Sequence, residues 1–230
     1  RAEILEGTAQ DLQHGAVFFD LHRDQPARLD VYSASVRDGL GHKLHRRLFI
    51  IETALDGAIE TRRPTLLLDL IAAPAPVPTP DETSLPAKDA IEHELIERAL
   101  KPFLHEIHSE RSKETTTISA HVEISLNALI DRQQNRLAQL WQEKESGDGN
   151  PLLAANLAQV EVRLDELNAR LERRRADLAQ ERECALADIQ FHGRAWVLPH
   201  PDRTKPGIAP MVRDDEIERI AVETVIAFER

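Results

Sequence analysis

One cysteine, one methionine and one tyrosine stand among 230 residues, and aromatic side chains make up only 4%. The lone Cys184 excludes an internal disulfide framework and any zinc site built from several thiolates, which fits a reducing cytosol. Few aromatics beside 30% charged residues is the balance of a protein with long solvated helices, not of an all-β sandwich. No apolar run approaches the about 18–20 residues that a membrane span needs, and the opening residues do not read as a signal peptide. A cytoplasmic chain with no membrane partner is therefore expected. A basic excess is also missing: the formal charge is −11, so the chain as a whole is no basic wrapper of nucleic acid, although local patches remain open.

Phosphate-cradling glycines are absent as well. DGLGHKLH at 38–45 has neither the spacing nor the Lys-Ser/Thr ending of a P-loop, and no serine sits in a Gly-flanked elbow. We expect no nucleotide site, no cofactor and no catalytic residue. The chain opens on Arg1, has its only methionine at Met211 and closes at Arg230 within a helical pattern. It is expected to be an excised piece of a longer polypeptide whose activity resides elsewhere.

What is present falls into four regions. Residues 1–72 read as a small antiparallel sheet. The segments AVFFDL, RLDVYSASV, KLHRRLFIIET and TLLLDLI are rich in β-branched and aromatic residues, and Asp38-Gly39 and Asp56-Gly57 are turn signals. Residues 73–86 form a linker whose prolines, Pro74, Pro76, Pro78, Pro80 and Pro86, remove backbone donors and favour extended chain. From Ala87 the period changes to that of a helix: Ile91, Leu95, Ala99, Phe103 and Ile107 recur every four residues. Pro102 inside this pattern predicts a kink. Whether the helix continues through Thr115, Thr116 and Thr117 is open, since β-branched residues weaken helix without forbidding it.

Within the helical region, 87–189, the spacing of Val122, Leu126, Leu129, Leu137 and Leu140 is heptad-like. After the polar tip SGDGNP, Leu157, Leu164, Leu171 and Leu178 fall at one heptad position, and Val160 and Leu167 at the other. Asn150-Pro151 reads as an N-cap and first-turn pair. Two such helices joined by a short tip predict an antiparallel coiled-coil hairpin over about residues 120–187, its second arm running from Pro151 to about Ala187. The second heptad position degrades to Arg174 and Glu181, so the seam must there pack differently or splay. Residues 190–230 add a returning strand (RAWVLP), a proline-rich loop and a terminal helix with an acidic first turn, leading to a further domain. The fold class is α+β and helix-dominated.

Ten histidines invite a metal reading. His105 and His108 are three apart on a helix, and HELIE at 93–97 matches half of a zincin helix but has Glu97 where the second histidine belongs. No third and fourth ligand can be named, so surface histidines on an acidic helix are the preferred reading and no metal is expected. A basic cluster is the better lead. Lys43, Arg46 and Arg47, with His42 and His45, lie on one predicted strand, and Arg62 and Arg63 come from the next, so the two groups could meet duplex DNA phosphates across a hairpin. Alternation divides them between two faces, and cations on an edge strand also protect it against unwanted pairing. For Arg173, Arg174 and Arg175, interleaved with Glu172, Asp177 and Glu181, solvated pairing is preferred over a nucleic-acid patch.

The segments AVFFDLH, GHKLHRRLFIIE, HVEISLNALIDRQQNRLAQL, VEVRLDELNARLERRRADLAQE, GRAWVLP and MVRDDEIERIAVETVIAFE, in that order, resemble the region after the core of bacterial Swi/Snf-like, superfamily-two helicases. The nearest subgroup is the helicase-related component of DISARM-type anti-phage defence systems. The resemblance covers most of the chain and implies a parent that is an ATP-dependent DNA translocase. None of that family's catalytic motifs has a counterpart in these residues. The expectation is a non-catalytic accessory module that engages nucleic acid or couples the motor to partners. Its rival is a coiled-coil scaffold that docks another protein and never touches DNA.

Overall fold

A computed structural model of the chain describes residues 16–74, 77–147, 151–208, 219 and 223. Of the expected closing helix only Arg219 and Glu223 are described; both are helical and pair at 2.9 Å. The rest of that segment, the N-cap at Asn150 and the linker residue Pro76 lie outside the described residues.

The architecture is α+β. Six strands form one mixed sheet in the order β4-β3-β2-β6-β1-β5. They are β1 (Ala16–Asp20), β2 (Ala27–Asp38), β3 (Lys43–Ala54), β4 (Ile59–Arg62), β5 (Ile71–Ala72) and β6 (Cys184–Pro199). The expected small antiparallel sheet is corrected here. β1 runs parallel to β6, with Ala16 opposite Ala195 and Asp20 opposite Pro199, and antiparallel to β5, while β3 and β4 form an antiparallel pair. A parallel partner must come from a distant part of the chain, and nothing in the local pattern of β1 announces it.

Two segments expected in other conformations differ for local reasons. TLLLDLI was expected as a strand, but Pro64–Leu68 is a 3₁₀ turn with proline in its first position, and only Ile71–Ala72 pairs. Proline has the φ of a helical first turn and no N–H to give a ladder. The turn brings Leu66, Leu67 and Leu70 onto Phe18, Leu29, Val31, Ile50, Ala195 and Val197. Residues 184–187, read as helix, are the start of β6. The heptad leucines end at Leu178, and Glu183 is already extended at φ −70° and ψ 128°.

The described residues fall into two units. One comprises those up to Ala34, Arg46–Pro102 and those from Asp188 onward; the other comprises Ser35–His45 and Phe103–Ala187. In the first unit, helix α1 (Lys88–Glu94) and the wider π-helical stretch Leu95–Leu100 pack on β4, burying Ile91, Leu95, Ala99 and Leu100. Pro102, where a kink was expected, stands just after that stretch. The Lys101 N–H reaches back five residues to the Ile96 carbonyl, so the helix widens just before the residue that cannot donate.

Helix α2 (Lys101–Glu145) then continues without a break. The three threonines stay helical because each turns its hydroxyl back to a carbonyl: Thr115 to Arg111 at 2.8 Å, Thr116 to Ser112 at 2.7 Å and Thr117 to Lys113 at 3.1 Å. Such back-bonding satisfies the hydroxyl inside a helix. Helix α3 (Leu153–Arg182) has 30 residues, about 45 Å at 1.5 Å per residue, shorter at both ends than the expected arm. In the second unit Leu126 and Ile130 of α2 share an apolar cluster with Leu167 and Leu171 of α3. Leu140 shares another with Leu153 and Leu157. No described helix is long and apolar enough to cross a membrane.

Candidate functional site

Strand β3 carries three of the five cations singled out in the sequence. Its first half is exposed on both faces: Lys43, His45, Arg46 and Arg47 are all exposed, whereas Phe49, Ile50, Ile51, Glu52 and Thr53 are buried. Lys43 belongs to the second unit, and Arg46, Arg47, Arg62 and Arg63 to the first. Within the first unit the ladder places Arg62 opposite Ile50. Successive residues of a strand point to opposite faces, so Arg46 shares a face with Ile50, Glu52 and Arg62, and Arg47 lies on the other. The arginines therefore do not form one patch.

Their charges are not equally available either. Arg46 donates to Ser33 Oγ at 3.2 Å, and His192 Nε2 lies 2.7 Å from the same oxygen. Arg62 is held by a fork to Glu52, with two bonds of 3.2 Å, and by Glu60 at 3.4 Å. From the other side Arg23 grips the same carboxylate at 2.6 and 3.2 Å. Glu52 is thus a buried carboxylate between two guanidiniums. Burial by itself would push its carboxyl up, but hydrogen bonds from Arg23 and Arg62, and then their charges, outweigh that and hold it below the usual glutamate range. The Arg62 guanidinium is held more firmly charged, first by its bonds to Glu52 and against the cost of burial.

This ion network lines a cleft of about 680 Å³ with Asp20, His22, Asp24, Arg63, Thr65 and Asp69 among its walls. Arg23 Nε is buried there without a hydrogen bond, with Asp20 Oδ2 at 3.8 Å. The cleft mixes both signs of charge, so it presents no continuous cationic surface to a phosphate backbone. Glu52 and Arg23 were not singled out in the sequence. A glutamate in the apolar run LFIIET is the one local signal, since a buried carboxylate in a strand needs a cationic partner.

A second buried network lies on β2. Asp30 accepts from Arg28 at 3.2 Å and from Arg194 at 3.0 Å. Close by, burial and then the charges of Asp30 and Glu92 push the Tyr32 hydroxyl up to about 12. Both networks are ion clusters inside the first unit, and in the first of them Arg23 Nε is left without a hydrogen bond. Among the described residues, no group of three or more His, Cys, Asp or Glu side chains could hold a metal ion.

In the second unit the degraded heptad positions have found a different partner. Glu181 accepts from Arg174 at 2.6 Å and from Arg111 of α2 at 2.8 Å, so an ion cluster replaces the apolar seam where leucines run out. Arg175 reaches across to Glu123 at 2.6 and 2.7 Å and also bonds Glu172. Several large apolar side chains on these helices remain exposed: Ile124, Leu129, Trp141, Leu152 beside the start of α3, and Val162. Comparison of the chain with family models, with curated proteins and with solved structures finds no match.

Proposed function

We propose that this chain is a non-catalytic accessory module of a helicase-like translocase that couples the motor to a protein partner through an antiparallel coiled-coil hairpin of α2 and α3. The observation that carries the reading is the set of large apolar residues left exposed on the two helices, from Ile124 at 69% to Leu129 at 38%. Of these, Leu129 stands with Ile118, Val122 and Leu126 along one groove, and contiguous apolar surface of that kind is the material of a protein interface. The hairpin is supported by the order of the shared clusters. Leu126 and Ile130 meet Leu167 and Leu171, while the later Leu140 meets the earlier Leu153 and Leu157. The translocase parent, with a role in phage defence, rests on the resemblance of the segments given above.

Cysteines placed at Leu140 and Leu157 in a Cys184→Ser background test the hairpin. A short bifunctional maleimide should join them within one chain. Crosslinks found only between chains would replace the hairpin with a parallel or swapped dimer.

The second reading, contact with duplex DNA through Lys43, Arg46, Arg47, Arg62 and Arg63, is favoured by one observation, the exposure of β3 over His45–Arg47 on both faces. Residues 1–80 are also nearly neutral, with nine basic and eleven acidic side chains, whereas 81–150 carry eight against fourteen. We expect DNA affinity in the non-specific range, with a log–log salt slope no steeper than about −3, and its loss in a Lys43→Ala, Arg46→Ala, Arg47→Ala variant. Nanomolar binding, or a much steeper slope, measured by fluorescence anisotropy of a labelled duplex would make DNA engagement the function instead.

A further inference from the structure

The two sides of the α2–α3 pair differ. On one side Thr115, Thr116, Ser119, Ala120 and Arg175 line a shallow cleft in which Arg175 is fully occupied by Glu123 and Glu172. On the other, Ile118, Val122, Leu126 and Leu129 of α2, with His121 and Ser125 between them, line a groove of about 640 Å³ whose opposite wall is Arg170, Arg173, Arg174 and Asp177 of α3. The floor is the outer edge of the cluster that holds the helices together, since Leu126 is buried and Val122 packs beside it. Leu129 is 38% exposed.

The arginine wall is what gives this groove a direction. Of its three arginines, Arg174 is neutralised by Glu181. Arg170 and Arg173 are exposed and have no ion pair among the described residues. They stand three residues apart on one helix, about 5–6 Å between their Cβ atoms. Asp177 is the one carboxylate in the lining. Two unneutralised guanidiniums beside a mainly apolar floor complement, locally and against the chain's net charge of −11, a segment that has apolar and acidic residues on adjoining faces. A nucleic-acid backbone matches the arginines but leaves Ile118, Val122 and Leu129 against charged phosphates, and a wholly apolar helix leaves the arginines unanswered.

We infer that this groove is the docking site for an acidic amphipathic helix of a partner protein, in the helix-in-groove manner. The span from Ile118 to Leu129 is twelve residues, about 16 Å along α2, so the docked helix contributes about three turns. Its apolar residues recur at i, i+4 and i+7 along the floor, and glutamates or aspartates three or four apart face Arg170 and Arg173. This inference rests on the proposed hairpin, because the groove exists only where α2 and α3 lie side by side.

The test uses the whole 230-residue chain and a labelled synthetic 21-residue helical peptide with leucines at i, i+4 and i+7 flanked by glutamates. A twin peptide carries lysine for each glutamate, and a 20-base-pair DNA duplex serves as competitor. Fluorescence anisotropy should show the acidic peptide binding at least tenfold more tightly than its twin. Arg170→Glu with Arg173→Glu should reverse that preference, and Leu129→Ala should weaken the acidic peptide several-fold. Arg182→Glu, whose arginine lines the separate cleft with Arg175 and bonds Ser112, should leave the preference unchanged. Equal affinity for the two peptides, or an unchanged preference in the double variant, overturns the inference. So does competition by the duplex that depends on Arg170 and Arg173, which would make the groove a nucleic-acid surface. The Leu140/Leu157 crosslink, run on the same preparations, separates the two failures: a crosslink without peptide preference sinks the groove alone, and no intramolecular crosslink sinks the hairpin.

Discussion

Replacing Glu52 by Gln is expected to destabilise the protein by about 3 kcal/mol, the lower end of the cost of removing one partner from a buried ion cluster. Gln preserves shape and can still accept hydrogen bonds, so the loss comes from leaving Arg23 without its close counter-charge. The Arg23 side chain is only 13% exposed, and Asp20 at 3.8 Å is its remaining carboxylate. Arg62, at 47% exposed and still beside Glu60, can turn to water, which is why the upper end is not expected. In a thermal melt the effect corresponds to a Tm lower by about 6–12 °C for a chain of this size. Arg62→Ala should cost well under half as much, and parity between the two would remove the argument from burial.

The same carboxylate has a pH signature. Its folded-state pKa is held down, so its stabilisation is fully present above the ordinary glutamate value of about 4.3 and is lost as pH falls through the lower folded value. The stability gap between wild type and the Gln variant should therefore be constant at neutral pH and shrink below about pH 4. A gap that stays constant down to pH 2, in urea titrations of both proteins, would show that Glu52 acts through packing and not through charge.

Gly39→Ala is expected to cost about 2–3 kcal/mol, although the position lies in a turn. A Cβ there would stand 2.6 Å from the Gln180 carbonyl oxygen, a backbone atom that cannot swing aside. That same oxygen accepts the Gly39 N–H at 2.9 Å. Relieving the clash therefore breaks the hydrogen bond, and the cost of overpacking, about 1–3 kcal/mol, adds to that of the lost bond. The turn itself is held independently: Asp38 accepts from the backbone of Leu40 and His42. Two other glycines separate the causes. Gly41 has open space but φ of +87°, so alanine there should cost about 1–2 kcal/mol through backbone strain alone. Gly207 has neither constraint and should tolerate alanine. If Gly39→Ala and Gly207→Ala melt together, the close approach to Gln180 carries no stability.

Local pattern was enough for much of the secondary structure. The heptad leucines from Leu157 to Leu178 mark α3 because side chains at that spacing share one face of a helix, and the β-branched and aromatic residues of RLDVYSASV and KLHRRLFIIET, bounded by Asp-Gly turn signals, mark β2 and β3. Even the disturbance at Pro102 was legible, because the missing N–H and the ring clash act within one turn, whatever the rest of the chain does. The basic residues of β3 were legible as a cluster but not as a site. Which of them keep a usable charge depends on Glu52, Glu60 and Ser33, and the pairing of β3 with β4 and β2 selects those partners.

Legible in the chain alone, then, is what depends on neighbours within about a turn or a strand: the helix periods, the Asp-Gly turns and the proline's effect. Long-range packing is what puts β6 beside β1 in parallel, turns TLLLDLI over the apolar cluster and brings Arg23 to Glu52 across 29 residues of chain. It also bears on which of the three consecutive arginines remains unneutralised. Arg174 meets Glu181 on α3 itself and Arg175 reaches Glu123 on α2, while Arg173 meets neither, because adjacent residues on a helix point about 100° apart; the packing of α2 against α3 decides the Glu123 contact.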